Sequence, residues 1–176
     1  AFPAAADWSI DSETSVLHFL STKNAQVTEV HKFDSFNGTL SDSGKLSVAV
    51  DLSSVNTAID IRNQRMQDML FNVSKFAQAT FEANLPESMM NLKAGEVANG
   101  NVDGILVLHG KAVPTSFSVT ASKVDEGTLT VSTTAPTLIK AESFGLAEGV
   151  AALQKIAGLK SITTTVPVTF AVTFEQ

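Results

Sequence analysis

The side chains that could carry out acid–base chemistry or bind a metal ion are scattered along this chain. Its three histidines, His18, His31 and His109, lie far apart, and none has a second histidine or a carboxylate at the spacing of metal ligands. His18 alternates with the apolar Leu17 and Phe19, so we expect its ring to face solvent. The chain has no cysteine, which excludes disulfides, thiol catalysis and thiolate metal sites. The sequence therefore predicts no catalytic residue and no metal site.

The composition and charge of the chain also argue against several classes of binding partner. Its net charge is −6, and no cluster of Lys or Arg is present to contact phosphates. An acidic chain of this kind argues against nucleic acid as a partner and against docking on anionic membranes. No apolar run reaches the ~18–20 residues of a membrane helix, so we expect no stable membrane insertion. The common motifs of hydrolases, zinc proteases and nucleotide-binding enzymes are also absent, so we predict that the protein is not an enzyme.

The remaining chemistry that the composition offers is the binding of an apolar molecule. The chain has 11 Phe and 4 Met but 1 Trp and no Tyr. Sugar-binding surfaces rely on exposed Trp and Tyr rings, whereas Trp8 lies at the start of a predicted strand, where a core position suits it better. Phe and Met side chains either fill a core or line an apolar cavity, and composition leaves both open.

The elements that would position these side chains are mostly β-strands, marked by alternation of apolar and polar residues. The predicted strands are 7–10, 15–21, 35–40, 46–53, 80–85, 104–109, 116–122, 128–134 and 162–175. Hairpin loops are predicted at 42–44, 99–101 and 125–127, where Asp, Asn and Gly gather. This pattern predicts an all-β fold, either an antiparallel barrel or a sandwich.

Two segments have helical spacing instead. Residues 60–71 form an amphipathic stripe with Asp60 as the expected N-cap, and residues 148–157 form a second short helix. The opening residues 1–6, AFPAAA, fit either an end left by a signal peptidase or a linker, and residues 7–176 are expected to form one domain.

Several motifs resemble, in order along the chain, the YceI-like family of polyisoprenoid-binding proteins. They are WSID at 8–11, SVLHF at 15–19, DLSSVNT at 51–57, RN at 62–63, MLFNV at 69–73, KFAQATF at 75–81, GILVLHG at 104–110 with Pro114, and SFGL at 143–146. The match spans residues 7–175 and is most specific in its middle part. Asn63 stands where family members often have Asp, and Ala77 where they often have Pro.

The resemblance implies a fold, a ligand and a location. The implied fold is a lipocalin-like antiparallel β-barrel of about eight strands with one or two short helices. Its lumen would bind a long-chain isoprenoid lipid, either a polyprenyl phosphate or an isoprenoid quinone, with no other cofactor. Family members are typically exported bacterial proteins, which implies a periplasmic or secreted location. The sequence allows a homodimer without requiring one.

Strand parity and the helical stripe predict which side chains would bind the apolar tail in such a barrel. They are Leu17, Phe19, Phe36, Leu40, Val48, Val50, Met66, Met69, Leu70, Phe81, Leu106, Leu108, Phe117, Val119 and Phe144. For a polar head we predict Arg62 and Arg65, because a guanidinium suits phosphate or carbonyl oxygens. Arg65 equally suits a solvated helix face. His31, Lys32 and His109, near strand ends, are further candidates.

Two other hypotheses remain open at this point. The first is a secreted β-sandwich that binds carbohydrate or acts in adhesion. The second is a lipid-modifying enzyme that uses the same pocket, since residues distant in sequence can converge in a fold.

Overall fold

The chain closes into an antiparallel β-barrel of eight strand positions in the computed structural model, which describes residues 7–176. The strands are β1 (Trp8–Ile10), β2 (Val16–Lys23), β3 (Val27–Phe33), β4 (Phe36–Leu40), β5 (Lys45–Asp51), β6 (Val55–Asn56), β7 (Gln78–Asn84), β8 (Val97–Leu108), β9 (Lys111–Asp125), β10 (Thr128–Thr133), β11 (Thr137–Lys140) and β12 (Thr165–Glu175). β1 closes the ring because it pairs with both β4 and β12. The predicted lipocalin-like barrel is confirmed, and the predicted sandwich is wrong.

Four barrel positions are each built by two strands in succession. β1 and β2 both pair with β12, and so do β10 and β11 on its other edge. β3 and β4 pair with β2 and β1 respectively, while β5 and β6 pair with β4 and β3. Interruptions of this kind let a strand change direction, so the sheet curves tightly enough to close.

Short helices cover the two ends of the barrel. α1 (Asp60–Arg65) continues into a π-helical turn (Met66–Phe71), α2 (Glu87–Met90) follows β7, and α3 (Ala147–Ile156) packs against the π-helical turn. We call the end that carries α1, α3 and the β2–β3 and β8–β9 turns the upper end. The lower end carries α2 and the β4–β5 and β9–β10 turns. Both predicted helices are thus present.

The predicted cap of α1 is wrong. Ile59 occupies the N-cap position, and Asp60 is the first helical residue and makes no side-chain cap. The chain before the helix is held by Asn63 instead, whose Oδ1 accepts hydrogen bonds from the Thr57 amide (2.8 Å) and hydroxyl (2.6 Å).

Strand β3 was not predicted, because its polarity is inverted. Glu29 and His31 point into the barrel, whereas Val30 points out of it. His31 is 5% exposed and Val30 is 64% exposed. Alternation still has period two here, but the polar residues lie on the inner face, so a pattern of buried apolar residues does not reveal the strand.

The predicted loop at 99–101 is also wrong, because these residues lie within β8. Asn99 accepts a hydrogen bond of 2.6 Å from the hydroxyl of Thr120 on β9, so its polar side chain belongs to the outer face of the sheet. Gly100 makes room for α2, since a Cβ placed there would lie 3.1 Å from Met89 Cε. The predicted loops at 42–44 and 125–127 do connect strands.

Gly104 provides a test of the packing between β7 and β8. A Cβ at this glycine would clash with the carbonyl oxygen of Glu82 and would lie 2.7 Å from the Cβ of Ala83. We therefore expect Gly104→Ala to push the two strands apart and to lower the free energy of unfolding in urea by about 1–3 kcal/mol. Gly127→Ala is the matched control, because a Cβ at Gly127 would meet only Asp125 Oδ1, at an ordinary contact distance of 3.8 Å. Equal stabilities of the two variants would contradict this packing.

Candidate ligand-binding site

An apolar cavity of about 240 Å³ lies inside the barrel. Side chains from the inner faces of the strands, together with α3 and the π-helical turn, form its wall. The predicted tail-binding residues on this wall are Leu17, Phe19, Phe36, Val48, Val50, Met66, Leu70, Phe81, Leu106, Leu108 and Phe117. Their part in binding a ligand stays a prediction.

Four predicted tail-binding residues do not line the cavity. Leu40 and Val119 have the expected inward parity, but they lie in the fully packed core of the barrel rather than beside the open space. Phe144 is buried in a separate cluster near the β8–β9 turn. Met69 lies on the helical face that meets α3, where its carbonyl oxygen would lie 2.9 Å from a Cβ at Gly149. Parity predicts the face of a strand but not the depth at which a core is filled.

Several wall residues were not predicted. The largest group comes from β12 and comprises Val166, Val168, Phe170, Val172 and Phe174. The alternation at 162–175 already placed these side chains on one face, so the signal was present. Phe33 and Val150 also line the wall, but one lies on the unpredicted β3 and the other on α3. The sequence offered no signal for Phe33, whereas Val150 is an apolar residue of the predicted helix at 148–157.

Aromatic rings contact one another across the cavity. Phe117 makes edge-to-face contacts with Phe81 (5.1 Å between ring centroids) and Phe170 (5.2 Å), which joins β7, β9 and β12. Nearer the upper end, the rings of Phe19 and Phe33 are 5.2 Å apart. Such pairs are favourable beyond their buried area. The wall therefore offers aromatic surface at two heights.

One polar residue, His18, borders the cavity within the described part of the chain. The His18 side chain lies on the outer face of the sheet, as expected, because its cross-strand partner is the outward-pointing Lys32 of β3, and the residue is half-buried. Its neighbours Leu17 and Phe19 both lie on the wall. The rest of the wall is apolar, so an apolar chain would meet little polar surface there.

A cluster of four polar side chains lies at the upper end: Lys23, Glu29, His31 and Arg62. The Glu29 carboxylate lies 2.7 Å from Arg62 Nη1, 3.3 Å from Lys23 Nζ and 3.5 Å from His31 Nε2. Arg62 Nη2 also donates to the carbonyl oxygen of Thr57 (2.7 Å). Arg62 Nε is buried and has no hydrogen-bond partner among residues 7–176. We call these four residues the upper polar cluster.

The two acid–base groups of the upper polar cluster have shifted pKa values. Burial raises the pKa of the Glu29 carboxyl, but the positive charges of Arg62 and Lys23 outweigh it, and the net shift is downward. Burial lowers the pKa of the His31 imidazole, and the Arg62 charge lowers it further against the opposing effect of Glu29. The ring of His31 packs edge-on against Phe19, 5.4 Å away, so the cluster lies one side chain from the cavity wall.

None of the five predicted head-group residues, all in the described part of the chain, lines the cavity. Arg62 and His31 belong to the upper polar cluster. Lys32 points outward and pairs with Asp34 at 3.3 Å. His109 lies in the β8–β9 turn with positive φ, and its Nδ1 is 3.2 Å from the carbonyl oxygen of Phe144, so it stabilises this turn. Arg65 is half-buried on α1 and forms no ion pair with the described residues.

Residues 7–176 contain no group of three or more His, Cys, Asp or Glu side chains arranged to hold a metal ion. Across the same residues, no helix is long and apolar enough to cross a membrane.

His31 provides a test of the upper polar cluster. Because its pKa is lowered in the folded protein, the unfolded chain binds the proton more tightly, and stability falls as the pH drops below about 6.5. We expect the free energy of unfolding in urea to decrease from about pH 8 to about pH 5, above the titration of Glu29. His31→Gln should reduce this slope. A slope that is the same in both proteins would contradict the assignment.

Comparison with known proteins agrees with this architecture. A family model, the YceI-like domain, matches residues 8–174. A polyisoprenoid binding domain from Saccharophagus degradans, implicated in plant cell wall breakdown, is 35% identical, has a TM-score of 0.91, and the match covers 96% of this chain and 97% of that domain. A search of the curated proteins finds no match.

Two further solved structures share the fold at lower identity. Burkholderia cenocepacia BcnA is 20% identical with a TM-score of 0.72, and the match covers 93% of this chain and 98% of BcnA. The Campylobacter jejuni YceI protein is 18% identical with a TM-score of 0.63, and the match covers 88% of this chain and 90% of that protein. The family model and the Saccharophagus domain both extend over nearly the whole described region, and the chain therefore belongs to the YceI-like family.

Proposed function

We propose that this protein binds a long-chain isoprenoid lipid in the barrel cavity and carries it or keeps it from water. The observation that carries the proposal is the cavity of about 240 Å³ inside the barrel, whose wall is apolar apart from His18. The similarity to a polyisoprenoid binding domain supports an isoprenoid as the ligand. A polyprenyl phosphate and an isoprenoid quinone both fit this description.

Burial of the tail would supply most of the affinity. At ~25 cal/mol per Å², removing several hundred Å² of a long tail from water contributes on the order of 10 kcal/mol before the costs of association. Those costs remove a large part of this gain. The protein would act as a binding protein and not as an enzyme, in keeping with its family.

The upper polar cluster is the proposed neighbour of the ligand's polar end. Phe19 lies on the wall, His31 packs against Phe19, and Arg62 lies across Glu29 from His31. Arg62 also has a buried Nε without a partner among the described residues. A carbonyl, hydroxyl or phosphate oxygen at this end would accept a hydrogen bond from such a donor.

Location and oligomeric state belong to the same proposal. Family members are typically exported, so we infer a periplasmic or secreted protein. One chain encloses the cavity by itself, and binding would therefore not require a homodimer. A carbohydrate-binding role gains no support, since Trp8 is buried in the core.

The direct test is to purify the protein, extract it with organic solvent and identify the lipids by mass spectrometry. We expect a polyprenyl lipid or an isoprenoid quinone in an amount comparable to the protein. Protein that is folded and repeatedly free of such a lipid, and that does not take up an added polyprenol, would contradict the proposal.

Adjacent residues on β8 test whether the inner wall binds the lipid. Leu106 lines the cavity, whereas Ile105 lies on the outer face. We expect Leu106→Asp to abolish lipid retention, because a carboxylate beside the tail would have to lose its hydration without a partner. Ile105→Asp should retain the lipid at the normal amount. Both variants must first show the wild-type circular dichroism spectrum, and equal lipid content in folded variants would contradict the assigned wall.

The upper polar cluster predicts how the head group is selected. Glu29 neutralises much of the positive charge of Lys23 and Arg62. We expect Glu29→Gln to raise the affinity for a polyprenyl phosphate several-fold relative to an uncharged polyprenol, since the two cations are then less compensated. Asp34→Asn is the control, because Asp34 pairs with the outward-pointing Lys32. An unchanged preference between the two lipids in Glu29→Gln would place the head group elsewhere.

A further inference from the structure

Exposed large apolar side chains are concentrated at the upper end of the barrel. Five of them lie on β3, on and just before α1, and at the end of α3, and we call these the apolar rim: Val27, Val30, Ile59, Ile61 and Ile156. At the lower end Val97 and Val124 are exposed, and the other exposed large apolar side chains of the described residues, Val16, Ile105 and Leu138, lie along the side of the barrel. The isoleucines of the rim are also larger than the valines of the lower end. The two ends of the barrel therefore differ in apolar surface.

Specific bonds bring the elements of the apolar rim together. The Arg62–Glu29 pair at 2.7 Å joins α1 to β3, which places Ile61 and Val30 each next to one member of the pair. On the other side, the Lys160 amide donates to Asn24 in the β2–β3 turn (2.8 Å). The carbonyl of Lys160 in turn accepts from Gln154 of α3 (2.9 Å). These bonds hold Ile156 near the turn that precedes Val27, so the apolar side chains share one end of the molecule.

Charge is distributed just as unevenly. Of the 12 Lys and Arg residues, only Lys45, Lys93 and Lys123 lie in the lower half of the barrel. The basic residues of the upper half are Lys23, Lys32, Arg62, Arg65, Lys75, Lys111, Lys140, Lys155 and Lys160. Most of the 18 acidic residues lie in the lower half: Asp7, Asp11, Glu13, Asp42, Glu82, Glu87, Glu96, Asp103, Asp125, Glu126 and Glu175. The upper half is thus slightly positive and the lower half strongly negative.

Three basic residues border the apolar rim without an acidic partner in the described part of the chain. Arg65 follows Ile61 by one turn of α1, and Lys155 and Lys160 flank the end of α3 beside Ile156. A surface that combines exposed apolar side chains with unpaired cations is suited to bind the headgroup region of a negatively charged lipid bilayer.

We propose that the upper end is a docking surface for an anionic lipid bilayer. The apolar rim would enter the headgroup region while Arg65, Lys155 and Lys160 face the anionic headgroups. This inference goes beyond the proposed function, because it concerns the outer surface and not the cavity. It also replaces the expectation, drawn from the net charge, that the chain would avoid anionic membranes.

Net charge misleads here because electrostatic interactions are local. At physiological salt the Debye length is about 8 Å, so charges at the far end of a barrel are screened from a surface that the near end touches. The acidic lower half would then orient the molecule, since it is repelled by the same surface that attracts the upper half. Docking in this orientation would bring α1 and α3, which cover the upper end of the cavity, against the bilayer.

Vesicle binding tests the proposal. Vesicles of phosphatidylcholine alone and of phosphatidylcholine mixed with phosphatidylglycerol are sedimented with the full protein. We expect binding to the mixed vesicles, weaker binding to the neutral ones, and loss of binding as salt is raised. No binding to either kind of vesicle, or binding that is indifferent to their charge, would overturn the proposal.

Substitutions at the two ends of the barrel supply the control. Ile61 and Val124 are each 58% exposed but lie at opposite ends. Ile61→Asp should weaken binding to the mixed vesicles by about tenfold, and Val124→Asp should leave it unchanged. Lys155→Glu should weaken it as well, while Lys93→Glu in the lower half should not. Equal behaviour of the two members of either pair would overturn the assignment of the upper end.

The same variants separate this proposal from the proposed function. None of the substituted residues lines the cavity, so all variants should contain the wild-type amount of extracted lipid. Light scattering identifies the remaining alternative, a contact between two copies of the chain. If Ile61→Asp converts a dimer into a monomer and the wild type does not bind mixed vesicles, the apolar rim is a self-association surface and the proposal is wrong.

Discussion

The rest of this structure depends on one constraint, the closed ring of backbone hydrogen bonds around the barrel. Because β1 pairs with β4 on one edge and β12 on the other, the ring has no free edge there. Every second side chain of each strand must then point into a closed interior. Some of these side chains, such as Leu40 and Val119, are fully buried against their neighbours. The others leave a cavity between them, and its apolar wall favours an apolar occupant.

The upper end departs from this pattern, because polar side chains point inward there. Strand β3 directs Glu29 and His31 inward, where Arg62 from α1 meets them. Inward polar groups of this kind are acceptable only because they bond to one another at the rim of the barrel, beyond the apolar wall. The outward residue Val30 is left exposed as a consequence. The same inversion thus creates both the upper polar cluster and part of the apolar rim.

Alternation predicted an antiparallel all-β fold, because burial on one face of a strand produces that alternation, and helical spacing predicted both main helices. Together they predicted 11 of the side chains on the wall. The choice of a barrel over a sandwich came from the family resemblance. These sequence patterns failed where another force decided the residue types. On β3, polar residues point inward. Gly100 is needed because a side chain there would contact Met89, and Phe144 is buried in a hydrophobic cluster outside the cavity. Of the predicted head-group residues, Lys32 forms an ion pair with Asp34, and His109 lies in the β8–β9 turn, where it contacts the carbonyl oxygen of Phe144. The alternation of apolar and polar residues indicates which face of a strand is buried, but it does not indicate which groups each buried side chain contacts.

The central claim is that a lipid fills the barrel cavity, and a crystal structure of the protein purified without removing lipids tests it most directly. We expect continuous elongated density along the wall, passing Phe117 and Leu106, with its polar end towards Arg62. Lipid density confined to the outer surface would contradict the account. So would a barrel in which the rings of Phe81, Phe117 and Phe170 have closed the cavity.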